Sequence, residues 1–170
     1  WTTDRGCNPQ GKGHPAMIVV DANVVIYLVF ETSFTPLARE VYAKDPDWVV
    51  PDLWEAEVLN GLMNEVRAGH TNVEGAIHAV TNAAALLSGK ARRCDRVNVL
   101  RTANEARLTA YDAYYVVLAR ALGALLVTED GPIKRSCPDV ARSLKAYLGL
   151  EERPAAVREA RATYRVRRRR

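Results

Sequence analysis

Residues 17–23 read Met17-Ile18-Val19-Val20-Asp21-Ala22-Asn23. Three apolar β-branched residues in a row, with no polar alternation, are the composition of a short strand buried on both faces of a parallel sheet. An acid stands at the end of that strand, where a buried carboxylate is costly unless something pairs with it. The same pattern recurs along the chain. Trp48-Val49-Val50 is strand-like and stops at Pro51, and Leu125–Val127 leads into Thr128-Glu129-Asp130.

Helical signals fill the intervals. A short helix is expected over Val24–Phe30, and Pro36 opens another from Leu37 to about Lys44. Asp52 is placed to cap a helix over Leu53–Arg67 that ends at Gly69. Val73–Ser88 reads as a helix ending at Gly89. Val97–Leu100 is ambiguous, with a strand as its reading. Thr102–Arg107 and Ala110–Leu122 read as helical, the second ending at Gly123. The stretch from Ile133 to Leu148 reads as a loop followed by a helix. Strands alternating with helices define the α/β class, a central parallel sheet flanked by helices.

The ends of the chain differ from its middle. Residues 1–16 are rich in glycine, proline and polar residues without an apolar period, and read as a flexible leader or added extension. Met17 then reads as the start of the folded domain, residues 17–150. Residues 151–170 hold eight arginines and three glutamates, a like-charge block expected to be a disordered basic tail. The whole chain carries +4, yet without that tail the remainder carries −1. The body is therefore no basic platform for nucleic acid, and attraction for phosphate has to come from the tail or from bound cations. No apolar stretch approaches the roughly 18 residues of a membrane span. Cys7, Cys94 and Cys137 are odd in number and far apart, without metal-binding spacing, which suits a reducing, cytoplasmic setting.

Four acids stand out as candidate ligands. Asp21 and Asp130 follow strands, and ligands in open parallel sheets bind beyond the carboxyl ends of strands. Asp112 is the only charge between Arg107 and Arg120, near the start of an apolar helix. Glu57 lies on the helix after Pro51. Gathered carboxylates repel one another, and a hard divalent cation removes that cost. Each acid also has a plainer reading. Asp21 can cap the next helix, Thr109 and Asp112 have capping-box spacing, and Asp130 can belong to an acidic turn. Helical geometry sets Leu59, Leu62, Met63 and Val66 on one face and Glu57, Asn60 and Asn64 on the other. It does not decide between Glu57 and Glu55, nor does the turn decide between Asp130 and Glu129. Asn23 and Thr128 are candidates to orient a carboxylate or a water. His14, His70 and His78 have no ligand set and read as surface residues. Trp54 and Tyr114-Tyr115 read as core, with apolar contact area as the other reading.

The stretches Ile18-Val-Val-Asp21-Ala-Asn-Val-Val-Ile26, Pro51-Asp-Leu-Trp-Glu-Ala-Glu57-Val-Leu-Asn-Gly-Leu62, Leu108-Thr-Ala-Tyr-Asp112-Ala-Tyr-Tyr-Val-Val-Leu-Ala119 and Leu125-Leu-Val-Thr128-Glu-Asp130 come in this order. Together they resemble the four acidic motifs of PIN-domain ribonucleases, especially VapC-type toxins, over about residues 17–148. The resemblance implies a PIN-like α/β/α sandwich and prefers Glu57 over Glu55 and Asp130 over Glu129. It implies a metal-dependent endoribonuclease in which Asp21, Glu57, Asp112 and Asp130 hold Mg²⁺ or Mn²⁺. It further implies an RNA substrate, a homodimer, a cognate antitoxin protein that covers the acidic site, and no membrane.

Rival chemistries fit less well. A haloacid-dehalogenase-type phosphotransferase needs a second Asp two residues after the first, where this chain has Asn23. There is no phosphate-cradling GxxxxGK[ST] loop and no GxSxG turn. A non-catalytic RNA- or protein-binding module is the alternative of a different class.

Overall fold

A computed structural model describes residues 17–150, and the leader and basic tail expected from the sequence lie outside the described residues. The sheet is built from β1 (Ile18–Val20), β2 (Trp48–Pro51), β3 (Ala91–Arg92), β4 (Leu126–Val127) and β5 (Ala141–Arg142). All neighbours pair in parallel, in the order β3-β2-β1-β4-β5. β1 is central, with Val19 opposite both Val49 of β2 and Leu126 of β4. β1, β2 and β4 are buried along their whole length, as their continuous apolar composition requires.

The connections carry α1 (Ala22–Val29), α2 (Thr35–Lys44), α3 (Trp54–Arg67), α4 (Val73–Leu86), α5 (Arg96–Ala106), α6 (Ala110–Leu122), α7 (Gly131–Ser136) and α8 (Leu144–Leu148). The chain moves one way across the sheet through β1, β2 and β3, then crosses back to β4 and on to β5. Right-handed crossovers put helices from opposite directions of travel on opposite faces. α1 accordingly packs with α2, α3 and α4, whereas α6 packs with α5 and lies across β1, β2 and β4. The direction reverses between β1 and β4, so a crevice opens at the carboxyl ends of those two strands.

Several local expectations change. Val97–Leu100 is not a strand but part of α5, whose cap Asp95 accepts a hydrogen bond from the Asn98 amide at 2.8 Å. Val97 and Leu100 face water, which hid the helical period. Ile133–Leu148 contains α7, β5 and α8 rather than a loop and one helix. Asp52 does not cap α3. The cap position is Leu53, without a side-chain bond, and the Asp52 amide instead extends the β2–β3 pairing to the Arg92 carbonyl at 3.0 Å. Gly123 ends α6 in the left-handed region, φ 61°, where a side chain would be strained.

The buried face of α3 also differs from the expected stripe. Trp54, Val58 and Leu62 are buried, while Leu59 is 46% exposed and Met63 37%. The cause is Gly61, where an added Cβ would run into the Ile26 side chain of α1. A missing side chain, not a large apolar one, marks where α3 meets α1. Glu57 thereby borders the buried face instead of lying opposite it. Leu62→Ala is expected to cost about 2–5 kcal/mol in urea denaturation, and Leu59→Ala only about 0.5 kcal/mol. Equal losses would contradict this orientation of α3.

Candidate active site

Asp21 leaves β1 at the centre of the crevice. Its amide donates to the Val127 carbonyl at 3.0 Å, so the ends of β1 and β4 are tied at the point where the acid emerges. It occupies the cap position of α1, but its side chain makes no cap hydrogen bond. The carboxylate turns to the crevice instead. Its Oδ2 accepts from the Thr128 hydroxyl at 2.5 Å and from the Asn23 side-chain amide at 2.8 Å.

Thr128 joins two acids. Its hydroxyl donates to Asp21 and accepts from the Asp130 amide at 2.9 Å. Asp130 caps α7, its Oδ1 accepting from the Ile133 amide at 2.7 Å. The capping reading is therefore realised for Asp130, and it occupies one carboxylate oxygen. Glu129 is engaged elsewhere: it pairs with Lys134 at 2.7 Å and accepts from the Leu144 amide at 2.8 Å.

Glu57 is half-buried on α3, with Oε2 accepting from the Tyr115 hydroxyl at 2.6 Å. Glu55, two residues earlier, is exposed. Asp112 sits half-buried in the first turn of α6, where its amide donates to the Thr109 hydroxyl at 3.1 Å. That bond is one half of the capping box foreseen from the sequence.

The electrostatics link the four acids in a row. Asp21 is 8% exposed. Its pKa is pushed up from 3.8 to about 7, chiefly by loss of water, and further by Glu57 and Asp130, while the Thr128 bond opposes the rise. Glu57 is raised as well, first by burial and then by Asp112, against the Tyr115 hydrogen bond. Asp130 thus couples to Asp21, Asp21 to Glu57, and Glu57 to Asp112. Among the described residues, no three His, Cys, Asp or Glu side chains form a closed ion cage. One buried carboxylate with three half-buried ones around it, coupled by repulsion, has the donor chemistry of a hard divalent cation site.

A groove of about 470 Å³ lies between α1 and α3, lined by Ala22, Asn23, Ile26, Gly61 and Tyr111 and, alone of the four acids, by Glu57. Trp54 and Tyr115 are buried and offer no contact surface. His70 is exposed and pairs with Glu65, and His78 is exposed as well. His14 lies outside the described residues. Cys94 and Cys137 are free thiols. No helix among the described residues is long and apolar enough to cross a membrane.

Tyr115 is the residue at this site that the sequence concealed. Inside the run Ala113–Ala119 it reads as core, which its ring is. The available signal was its spacing, since Asp112 and Tyr115 stand three apart on one helix face.

An all-parallel α/β domain with an acidic crevice at its strand switch point is the class this architecture defines. The PIN domain family model matches residues 18–136, and the chain belongs to the PIN domain family. It is similar in structure to the chain in the crystal structure of PAE2754 from Pyrobaculum aerophilum, with a TM-score of 0.62 and 23% identity. That match covers 80% of this chain and 90% of the other, and at this identity it concerns the fold. No curated protein matches the chain significantly.

The raised pKa of Asp21 has a signed consequence. The folded, metal-free protein holds the Asp21 proton more tightly than the unfolded chain does. That contribution is fully present below about pH 3.8 and is lost as pH rises through about 7. The span corresponds to roughly 4 kcal/mol. In EDTA, Asp21→Asn should therefore melt several degrees above wild type at pH 8, the gap closing towards pH 4. Parallel melting profiles across that range would contradict the burial of an ionised Asp21.

Proposed function

We propose that the protein is a metal-dependent ribonuclease that hydrolyses RNA phosphodiester bonds. Asp21, Glu57, Asp112 and Asp130 are the ligands for Mg²⁺ or Mn²⁺. The observation that carries this reading is the Asp21 carboxylate, 8% exposed and raised to about pKa 7 beside Glu57 and Asp130. A side chain that unfavourable without a cation, at the ligand-binding end of a parallel sheet, is hard to explain by folding alone. Membership of the PIN domain family, typically metal-dependent nucleases, supports it.

When bound, a divalent ion supplies an acidified water as nucleophile and neutralises charge on the phosphate. The chain's own residues orient it. Thr128 and Asn23 both bond to Oδ2 of Asp21, which fixes the carboxylate plane. Thr128 also holds the Asp130 amide, so one hydroxyl sets the relation between two ligands. Tyr115 uses only Oε2 of Glu57 and Ile133 only Oδ1 of Asp130, leaving the other oxygen of each acid for a further partner. Asp112 gains from the positive end of α6. Among the described residues, neither histidine belongs to the site.

We further assign the chain to the toxin half of a toxin–antitoxin pair, acting as a cytoplasmic homodimer. The resemblance to VapC-type toxins supports this. So does the groove between α1 and α3, which runs from apolar Ile26 and Ala22 to acidic Glu57 and suits a partner segment bearing an apolar and a cationic side chain. Exposed Leu59 and Met63 on α3, with Val73 and Ile77 on α4, provide apolar surface of the kind partners cover.

The test is cleavage of RNA by the partner-free full chain with Mg²⁺, with Mn²⁺ and with EDTA. Cleavage is expected only with metal, and Asp21→Asn and Asp112→Asn should each abolish it while keeping the fold. Thr128→Val should lower the rate about 10–100-fold, with Thr128→Ser close to wild type. Full activity of Asp21→Asn, or activity in EDTA, would overturn the assignment. Metal-independent RNA binding without cleavage would point to the non-catalytic module.

A further inference from the structure

Glu57 differs from the other acids in how it is held. Asp21 and Asp130 are fixed by residues of the β1–β4 switch point, through Thr128, Asn23 and the start of α7. Glu57 comes from α3 on a side chain with three rotatable bonds. It borders the open groove, and Asp112 repels it. Left alone, it would swing towards water. The only side-chain hydrogen bond it makes among the described residues comes from Tyr115 of α6.

Tyr115 is built as a strut. It is 1% exposed, and its ring belongs to the main core with Val20, Val50 and Val116. A packed phenol has two side-chain torsions, both set by the core, so its hydroxyl occupies a fixed point. At 2.6 Å from a carboxylate oxygen, the bond has the length of a charge-assisted one. Asp112 and Tyr115 are three residues apart on the same helix face. α6 therefore presents one acid at its first turn and, one turn on, clamps the acid of α3 that this first acid repels.

Resting on the metal-site reading above, we propose that Tyr115 is a positioning residue: through its hydroxyl bond to Glu57 it fixes the spacing of Glu57 and Asp112 and so sets the affinity for the divalent cation. A buried tyrosine needs some hydrogen-bond partner for packing reasons alone. A core role and a positioning role nevertheless differ in what removal of one oxygen atom does. In the core role, loss of the hydroxyl changes stability and leaves cation affinity alone. In the positioning role, it changes cation affinity, and only while Glu57 is present to be positioned.

The experiment is a double-mutant cycle on the full chain, reading Mn²⁺ dissociation constants by electron paramagnetic resonance. Tyr115→Phe keeps the ring and removes the hydroxyl, and circular dichroism checks that it folds. Tyr115→Phe is expected to bind Mn²⁺ about 10–100-fold more weakly than wild type. In a Glu57→Ala background, which removes the acceptor oxygen, the same change is expected to alter binding less than about threefold. Equal affinity of wild type and Tyr115→Phe would overturn the proposal, as would an equal loss in both backgrounds, which marks an effect that does not pass through Glu57. Absence of Mn²⁺ binding by folded wild type would overturn the metal site itself, and with it this inference. That result is distinct from a wild type that binds and a Tyr115→Phe variant that binds equally well.

Discussion

The cost of an ionised Asp21 at the end of β1 organises this molecule. A parallel sheet that reverses its direction of travel between β1 and β4 must open a crevice at their carboxyl ends. The chain places a carboxylate there, almost out of reach of water. Much of the local structure answers that placement. The Asp21 amide is tied to β4, two side chains bond to its carboxylate, and the helix that follows gains no side-chain cap from it. Glu57 and Asp130 aggravate the charge. Stability alone would favour an asparagine here, and that excess cost is the ground for the proposed cation.

The parts of the fold that could be read beforehand are those in which composition and burial agree. β1, β2 and β4 are runs of apolar residues and are fully buried. β3 and β5 were not legible. Each is two residues long, Ala91-Arg92 and Ala141-Arg142, and a pair containing an arginine at a sheet edge has no period to detect. They exist because the central strands offer them a partner, which is a tertiary cause. α5 was obscured by the opposite conflict, apolar Val97 and Leu100 facing water. The face of α3 was misjudged because large residues were weighed above Gly61, whose lack of a side chain decides the docking on α1.

The candidate site divides in the same way. Acids at strand ends are legible from topology, because a strand's last residue has only one place to go. Asn23 and Thr128 are legible from their nearness in sequence to Asp21 and Asp130. Glu57 against Glu55 was not legible from helical geometry, since the answer depends on which side of α3 meets α1. Tyr115 was least legible of all. Its ring obeys the apolar pattern of α6, and its hydroxyl acquires meaning only where α6 passes α3.

The proposed metal site stands or falls on whether these four carboxylates share a cation. Anomalous X-ray diffraction from crystals grown with Mn²⁺ tests it most directly. A manganese peak is expected in the crevice, within coordination distance of Asp21 and at least two of Glu57, Asp112 and Asp130. Crystals in which the carboxylates keep their positions and no manganese lies among them, at concentrations that saturate binding in solution, would contradict it.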